Sequence, residues 1–294
     1  MSDVLSHHPV FAAFTPFCGD PQGAVICALG TRTRPHFIAA EPPPAGVVQT
    51  NWPTPCEEYF EWIDLLEAVR AARGSFTMLE LGAGYGRWTA RGAQAARSLG
   101  ITRLNLGLAE AEPQHAEWLR QHMADNDIGT DDYRLYEAAV TDRVGEIDFY
   151  ISTPDVDGLW YGQSVCSDDL SRQVVGTYFG RPVIQAPGGE RLVPTPQIPL
   201  SAVLADYDFV DFADLDLQGC EADAVADALE PLSAKVRRLH VGTHGSHIES
   251  RLRVLLSEAG WTCIRDYGCQ RENDTEFGRH MFNDGVQTWL NPRL

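Results

Sequence analysis

The chain has 294 residues, 44% of them hydrophobic, which is enough to bury a core as one large α/β domain or two smaller ones. Its formal net charge is −18, so its surface repels phosphate backbones and anionic membranes, and we expect neither nucleic acid nor a membrane as a partner. The sequence contains no apolar run of membrane-spanning length and no signal peptide, and its seven cysteines form no C-x-x-C pair. These features favour a reduced, cytoplasmic protein.

The N-terminal segment, residues 1–53, is rich in proline, which prevents long helices, but it is too apolar for a disordered tail. We predict that it packs as a flap on a main domain formed by residues 54–294. The first clear helix is predicted over residues 55–73, where apolar side chains recur at helical spacing and Gly74 follows.

Residues 76–92, FTMLELGAGYGRWTARG, give the strongest local signal. An apolar strand ends at Glu80, glycines alternate at Gly82, Gly84 and Gly86, and a helix follows, so the backbone can turn sharply and a ligand can approach it closely. Dinucleotide-binding folds usually have the spacing G-x-G-x-x-G and place a pyrophosphate at the helix N-terminus. Here the carboxylate of Glu80 would repel a pyrophosphate and favour a cationic group such as an ammonium or a sulfonium.

A second apolar strand, residues 103–109, ends at Glu110. An acid at the tip of the second strand can accept hydrogen bonds from both ribose hydroxyls of a nucleoside, as in other nucleoside-binding α/β sheets. Glu112 is the alternative for this role, although an acid in the first turn of a helix is also favoured by the helix dipole.

The middle section, residues 152–199, is predicted to be an irregular insertion because prolines interrupt it. A connection of this length is typical of a lid or a binding loop, and we predict that it contacts the substrate. The side chains suited to such contact are Trp160, Tyr161, Gln163, Ser164, Tyr178 and Phe179. A surface insertion with its own aromatic cluster is the alternative.

Acidic residues lie toward the end of a buried strand predicted over residues 209–217 and just after it. Asp214 and Asp216 share one face of that strand, and Glu221 begins the next helix. They could accept a proton from a substrate hydroxyl, accept hydrogen bonds from it, or hold a divalent ion. His244 follows the next strand among glycines, where sites of doubly wound sheets lie, and it is the candidate general base because imidazole titrates near neutrality. A loop histidine bonded to backbone is the alternative.

Taken together, the segments ELGAGYG, GLAEAEP, EAAVTDRVGEIDFY and VDFADLDLQGCEADAV resemble the FkbM-type S-adenosylmethionine-dependent methyltransferases. The resemblance covers roughly residues 50–270, and E-A-A-V-x-D-x-x-G-E-I-x-F and D-L-D-L-Q-G-C-E are its most specific parts. The N-terminal flap and the enlarged middle section depart from the family pattern.

The resemblance implies a Rossmann-like class I methyltransferase sheet, mostly parallel with an antiparallel last strand and with helices on both faces. It implies S-adenosylmethionine as cofactor, with Glu80 at the methionine end, Glu110 at the ribose and Glu137 beside the adenine. The glycines would permit close approach, and His244 and Asp216 would be catalytic. It requires no metal, and none is assigned.

The expected reaction is O-methylation of a hydroxyl on a small molecule or a sugar-containing natural product. The alternatives are an NAD(P)-dependent oxidoreductase, because Glu110 could equally hold a ribose of that cofactor, and a non-catalytic nucleoside-binding protein of the same fold. A homo-oligomer is compatible with the sequence.

Overall fold

Seven strands form the central sheet of the protein, and two further layers pack around it. The computed structural model describes residues 7–151, 163–166, 173–186 and 188–294. The helices are α1 (Glu57–Ala71), α2 (Arg87–Ser98), α3 (Pro113–Asp125), α4 (Leu200–Ala205), α5 (Glu221–Asp227), α6 (Leu229–Lys235) and α7 (Ser246–Glu258). Two short 3-10 helices span Pro9–Ala13 and Pro35–Ile38. Within the described ranges, no helix is both long and apolar enough to cross a membrane.

The strands are short at both ends of the chain and longest in its middle. In chain order they are β1 (Cys18–Gly19), β2 (Val25–Ile26), β3 (Arg32–Thr33), β4 (Val48–Gln49), β5 (Phe76–Leu81), β6 (Leu104–Ala109), β7 (Tyr133–Tyr136), β8 (Ala139–Thr141), β9 (Gly145–Ile151), β10 (Val165–Cys166), β11 (Gln173–Tyr178), β12 (Arg181–Gln185), β13 (Arg191–Pro199), β14 (Val210–Leu215), β15 (Val236–Thr243), β16 (Thr262–Tyr267), β17 (Arg271–Thr275), β18 (Gly278–Phe282) and β19 (Gly285–Leu290).

The central sheet has the strand order β16-β19-β15-β14-β5-β6-β7. Strands β5, β6, β7, β14 and β15 are parallel, and β19 runs antiparallel to both β15 and β16. The predicted fold class is therefore confirmed: this is a mostly parallel Rossmann-like sheet of the class I methyltransferase type with an antiparallel last strand.

Helices cover both faces of the sheet. The side chains of β5 alternate between the two faces, and each set packs in its own hydrophobic core. Phe76 and Met78 pack with α1, α2 and α3, whereas Leu79 and Leu81 pack with α4, α5, α6 and α7. The same alternation directs Glu80 to the face covered by α2. Leu81, the last residue of β5, pairs with Ala109 of β6 and with Leu215 of β14. The residues that follow these three strands therefore meet at one edge of the sheet.

The prediction of an irregular middle section was wrong for its described part. Strands β10, β9, β13, β12 and β11 form an antiparallel sheet in that order, and β8 pairs in parallel with β13. Pro194 and Pro196 lie two apart in β13, so their missing N–H groups face the same edge, and β12 pairs only with Arg191 and Leu192 there. At these two positions of β13, the missing proline N–H groups therefore remove no hydrogen bond to a neighbouring strand. Trp160 and Tyr161 lie outside the described residues.

The N-terminal segment lies across α1 and α3. The Tyr59 hydroxyl of α1 accepts a hydrogen bond from the amide of His8 at 3.0 Å. Farther along, the ring of Phe37 stacks on Trp118 of α3 with 5.2 Å between ring centroids. These contacts bring Ile38 to the wall of the cavity described next.

Candidate active site

The carboxyl ends of β5, β6 and β14 surround a cavity of about 580 Å³. This volume falls within the range of small-molecule sites, roughly 300 to 1,000 Å³. Val165 and Phe149 of the antiparallel sheet also line it, as does Gln163, which precedes β10. The described lining includes seven carboxyl side chains, Glu58, Glu61, Glu80, Glu110, Asp214, Asp216 and Asp284, together with the guanidinium of Arg87.

The turn after β5 requires glycine for two different reasons. Gly82, Gly84 and Gly86 all have positive φ values, of 85°, 54° and 77°. A Cβ atom at Gly82 would also lie 1.8 Å from the backbone oxygen of Asp216, since the chain leaving β14 crosses directly over the turn. The alternating glycines therefore allow a tight turn after β5 and also leave room at Gly82 for the chain that follows β14.

Glu80 is buried at the cavity wall and caps α2. One carboxylate oxygen accepts a hydrogen bond from the amide of Trp88 at 3.1 Å, and the other accepts one from Thr89 at 2.7 Å. Burial raises its pKa to about 7, although these hydrogen bonds oppose the shift. The amides at the start of α2 that would hold a pyrophosphate are thus already satisfied by a side chain of the protein.

Glu110 lies beside the glycine turn. Its carboxylate accepts hydrogen bonds from the amide of Gly84 at 2.6 Å and from the amide of Glu112 at 2.7 Å. Burial raises the pKa of Glu110 to about 8, and the charge of Glu112 adds to the shift. Glu112 instead caps α3 by accepting from the amide of His115, and it accepts a second bond from the Tyr178 hydroxyl, each at 2.6 Å. Of the two acids considered for the ribose, the structure places Glu110 at the cavity.

Glu137 is not brought to the cavity. It follows the last residue of β7, is exposed, and forms an ion pair with Arg120 of α3. The next three residues, Ala138, Ala139 and Val140, line the cavity instead. The predicted residue is therefore adjacent in sequence to the cavity lining, but its side chain points to solvent.

Two acids of α1 line the cavity and were not expected from the sequence. Glu58 forms an ion pair with Arg87 at 2.9 Å. The carboxyl group of Glu61 hydrogen-bonds to that of Asp214, and burial raises the pKa of both groups. Their i, i+3 spacing was visible in the sequence, but nothing local indicated that α1 covers the edge of the sheet.

His244 and Asp216 lie close together, and Asp216 lines the cavity, whereas His244 is not among the described lining residues. The Nε2 atom of His244 lies 3.4 Å from Oδ1 of Asp216 and 3.5 Å from Oδ1 of Asp284, while Nδ1 lies 2.6 Å from Oε1 of Glu221. Burial lowers the pKa of His244, but the hydrogen bond with Glu221 and the charge of Asp216 outweigh this and raise it to about 9. Without a bound ligand the imidazole is therefore charged at neutral pH. The prediction of a general base rested on titration near neutrality.

Asp216 presents its carboxylate to the cavity. Its side chain is 52% exposed, and the Gln218 amide donates to its Oδ1 at 2.9 Å. Enclosure in the cleft raises the pKa of Asp216 to about 6; the charge of His244 opposes this shift, and those of Glu221 and Asp284 add to it. Asp284 lies in the turn between β18 and β19.

Comparison with known proteins agrees with a methyltransferase fold. No family model matches the sequence. A protein of Jannaschia sp. (strain CCS1), named "Putative methyltransferase", is 26% identical over 214 residues, which span 70% of this chain and 69% of the relative.

Among solved structures, methyltransferase FkbM from Methylobacillus flagellatus KT has 12% identity and a TM-score of 0.44, over 75% of this chain and 45% of its own. Precorrin 8w decarboxylase from Methanobacterium thermoautotrophicum has 13% identity and a TM-score of 0.42, over 81% of this chain and 92% of its own. The magnesium protoporphyrin IX methyltransferase of Synechocystis PCC 6803, solved with bound SAM, has 12% identity and a TM-score of 0.39, over 80% of this chain and 78% of its own.

Proposed function

We propose that this protein is an S-adenosylmethionine-dependent methyltransferase of the FkbM type that methylates a hydroxyl group of a small molecule. The observation that carries the proposal is a single cavity that joins the glycine turn and Glu110 to Asp216. A nucleoside donor and an acceptor can therefore meet in one enclosed space. The relative from Jannaschia, whose name describes a methyltransferase, supports the same class of reaction.

The charge of the cavity favours a cationic donor. Seven carboxyl groups and one guanidinium are present in the described lining. His115, also in the lining, adds no positive charge at neutral pH because burial lowers its pKa to about 4. Burial raises the pKa of Glu80 to about 7 and that of Glu110 to about 8, and a bound sulfonium or ammonium would favour the charged form of both groups. The one guanidinium of the described lining, Arg87, is already paired with Glu58. Glu110 would accept hydrogen bonds from the ribose hydroxyls, and Glu80 would contribute negative charge near the methionine end.

The reaction needs few groups from the protein. When bound, S-adenosylmethionine would supply a methyl group already activated by its sulfonium, and the electron pair of the broken carbon–sulfur bond would remain on sulfur. The hydroxyl proton passes to the carboxylate of Asp216, which His244 positions. Alignment of the two reactants and exclusion of water supply most of the rate enhancement, since the sulfonium is already activated.

The oxidoreductase alternative is disfavoured by Glu80. A nicotinamide dinucleotide would place its pyrophosphate at the start of α2, where Glu80 occupies the amides of Trp88 and Thr89. A buried carboxyl group at that position repels an anion. The strongly acidic composition likewise supports a small-molecule acceptor over a nucleic acid.

Calorimetry tests the cofactor assignment. We expect the protein to bind S-adenosylhomocysteine at one site and to give no heat with NAD(H) or NADP(H). Transfer of a labelled methyl group from S-adenosylmethionine to a panel of hydroxylated sugars and phenols then tests the acceptor class. Binding of a nicotinamide cofactor with no response to S-adenosylhomocysteine would favour the oxidoreductase over the methyltransferase. Cofactor binding without turnover of any acceptor would favour the non-catalytic nucleoside-binding alternative.

A further inference from the structure

A side-chain amide in the cavity wall is buried without a hydrogen-bond partner. Gln163 lines the cavity just before β10, and both the oxygen and the nitrogen of its amide are buried. Neither atom has a partner among the residues that the structure describes. An amide buried in this way costs free energy, which a ligand with matching hydrogen-bonding groups would offset. The amide of Gln163 is therefore a candidate for recognising a bound molecule.

The antiparallel sheet places Gln163 near the ends of β6 and β7. Val165 of β10, two residues after Gln163, pairs in register with Phe149 of β9. Phe149 and Val165 pack in one hydrophobic cluster with Ala111, which follows β6, and with Ala139, the first residue of β8. All five residues line the cavity. The unpartnered amide thus lies beside an apolar part of the cavity wall.

The two sides of the cavity differ in polarity. In the central sheet β14 lies on one side of β5, and β6 and β7 lie on the other. The β14 side carries the carboxyl groups of Asp214 and Asp216, whereas the β7 side is lined by the apolar residues Ala111, Ala138, Ala139, Val140, Phe149 and Val165. Glu110 follows β6, between these two sides. A nucleoside whose ribose lies at Glu110 would therefore direct its flat, largely apolar base to the β7 side and a cationic sulfonium to the β14 side.

We propose that Gln163 recognises the adenine base of the cofactor. The amide oxygen accepts a hydrogen bond from the 6-amino group of adenine, and the amide nitrogen donates to a neighbouring ring nitrogen. A glutamine amide matches this donor–acceptor pair with two parallel hydrogen bonds. The identity of the base rests on the proposed function, since the ligand proposed above is an adenosyl compound. The antiparallel sheet thereby fills a role that Glu137, which points to solvent, does not fill.

Calorimetry on the intact chain with adenosine and with purine riboside, which lacks the 6-amino group, tests this recognition. The wild type is expected to bind adenosine about tenfold more tightly, because purine riboside leaves the buried amide oxygen unpaired. Gln163→Met keeps the length of the side chain but removes the amide. In this variant adenosine should bind about tenfold more weakly, and its advantage over purine riboside should fall to about twofold or less.

Gln173→Met is the matched control. Gln173 is an exposed glutamine of β11 in the same antiparallel sheet, and it is not part of the described cavity lining. This variant should keep both the affinity of the wild type for adenosine and its preference over purine riboside. Circular dichroism and thermal unfolding of both variants separate loss of recognition from loss of the fold.

An unchanged preference for adenosine in Gln163→Met would overturn the role of Gln163, and so would equal binding of the two nucleosides by the wild type. Calorimetry with S-adenosylhomocysteine keeps the two proposals apart. If that ligand binds but the preference does not depend on Gln163, adenine recognition by Gln163 alone is overturned. If the preference depends on Gln163 but S-adenosylhomocysteine does not bind, the proposed function alone is overturned.

Discussion

The carboxylate of Glu110 accepts a hydrogen bond from the amide of Gly84 across 2.6 Å, which joins the end of β6 to the glycine turn after β5. A second bond, from the amide of Glu112, fixes the other oxygen. The acid is thus held in place before any nucleoside arrives. A ribose diol would bind to a preorganised acceptor, which reduces the entropy cost of binding.

The affinity for a nucleoside should depend on pH through Glu110. Two ribose hydroxyls donate hydrogen bonds, so they bind the carboxylate better than the neutral acid. The pKa of Glu110 is raised to about 8, and affinity should therefore rise by up to roughly tenfold per pH unit below that value and level off above it. Calorimetry with adenosine, which has no group titrating near neutrality, measures this. Glu110→Gln should bind more weakly with no such slope; an equal slope in that variant would assign the titration to another group.

The same acid should make the protein less stable in alkaline solution. A folded-state pKa of about 8 lies above the ordinary value of 4.5, so the stabilisation is present below pH 4.5 and is lost as the pH rises through 8. The free energy of unfolding should fall over that interval, and Glu110→Gln should reduce the fall. Urea unfolding at pH 5 and pH 9 measures the difference. If the variant and the wild type lose the same stability between these conditions, Glu110 is not the group responsible.

Gly82→Ala should be far more damaging than a substitution at another glycine of the same conformation. Gly82 and Gly100 have φ values of 85° and 79°, so alanine is strained at both positions. A Cβ at Gly82 would lie 1.8 Å from the backbone oxygen of Asp216, whereas nothing lies within 4 Å of one at Gly100. We expect Gly100→Ala to cost about 1 kcal/mol of stability and Gly82→Ala to cost several times more or to prevent folding. Similar unfolding midpoints for the two variants would contradict the strand crossing seen here.

Local patterns predicted two of the acids that line the cavity, Glu80 and Glu110. Glu80 and Glu110 each end an apolar strand, and parallel strands place their carboxyl ends at one edge of the sheet. The register of Leu81 with Ala109 and Leu215 then brings the following residues together. Glu137 was misplaced because β7 stops at Tyr136, and a shift of one residue along an extended chain turns a side chain to the other side.

Residues contributed from outside the strand tips could not be predicted in the same way. Glu58 and Glu61 reach the cavity because α1 packs across the sheet, which depends on contacts distant in sequence. Asp284 lies in the turn between β18 and β19, and these two strands do not pair with each other: β18 pairs with β17, and β19 pairs with β15 and β16. The turn therefore links two different sheets and brings the side chain of Asp284 to within 3.5 Å of His244.

The attachment of α1 to the sheet depends on one buried acid. Asp64 of α1 has no exposed surface, and its carboxylate accepts hydrogen bonds from Arg238 of β15 and Arg265 of β16, each at 2.8 Å. Nδ1 of His240 lies 2.8 Å from its second oxygen. Burial alone would raise the pKa of Asp64, but the hydrogen bond with His240 and the two guanidinium charges lower it. The carboxylate is therefore the stable form.

Asp64→Asn should destabilise the protein strongly, because it keeps the side-chain shape but removes the fully buried charge that two largely buried guanidinium groups share. Among the described residues, Arg238 and Arg265 would then keep only their more exposed partners, Glu67 and Glu276. The expected loss is about 3 to 5 kcal/mol in the free energy of unfolding, measured in urea. Asp125→Asn is the control, since the ion pair of Asp125 with Arg34 at 2.7 Å is largely solvent-accessible and should contribute about 1 kcal/mol or less. Because α1 also carries Glu58 and Glu61, partial loosening of this helix in Asp64→Asn should weaken binding of S-adenosylhomocysteine. Equal losses of stability in the two variants would show that Asp64 does not hold α1 against the sheet.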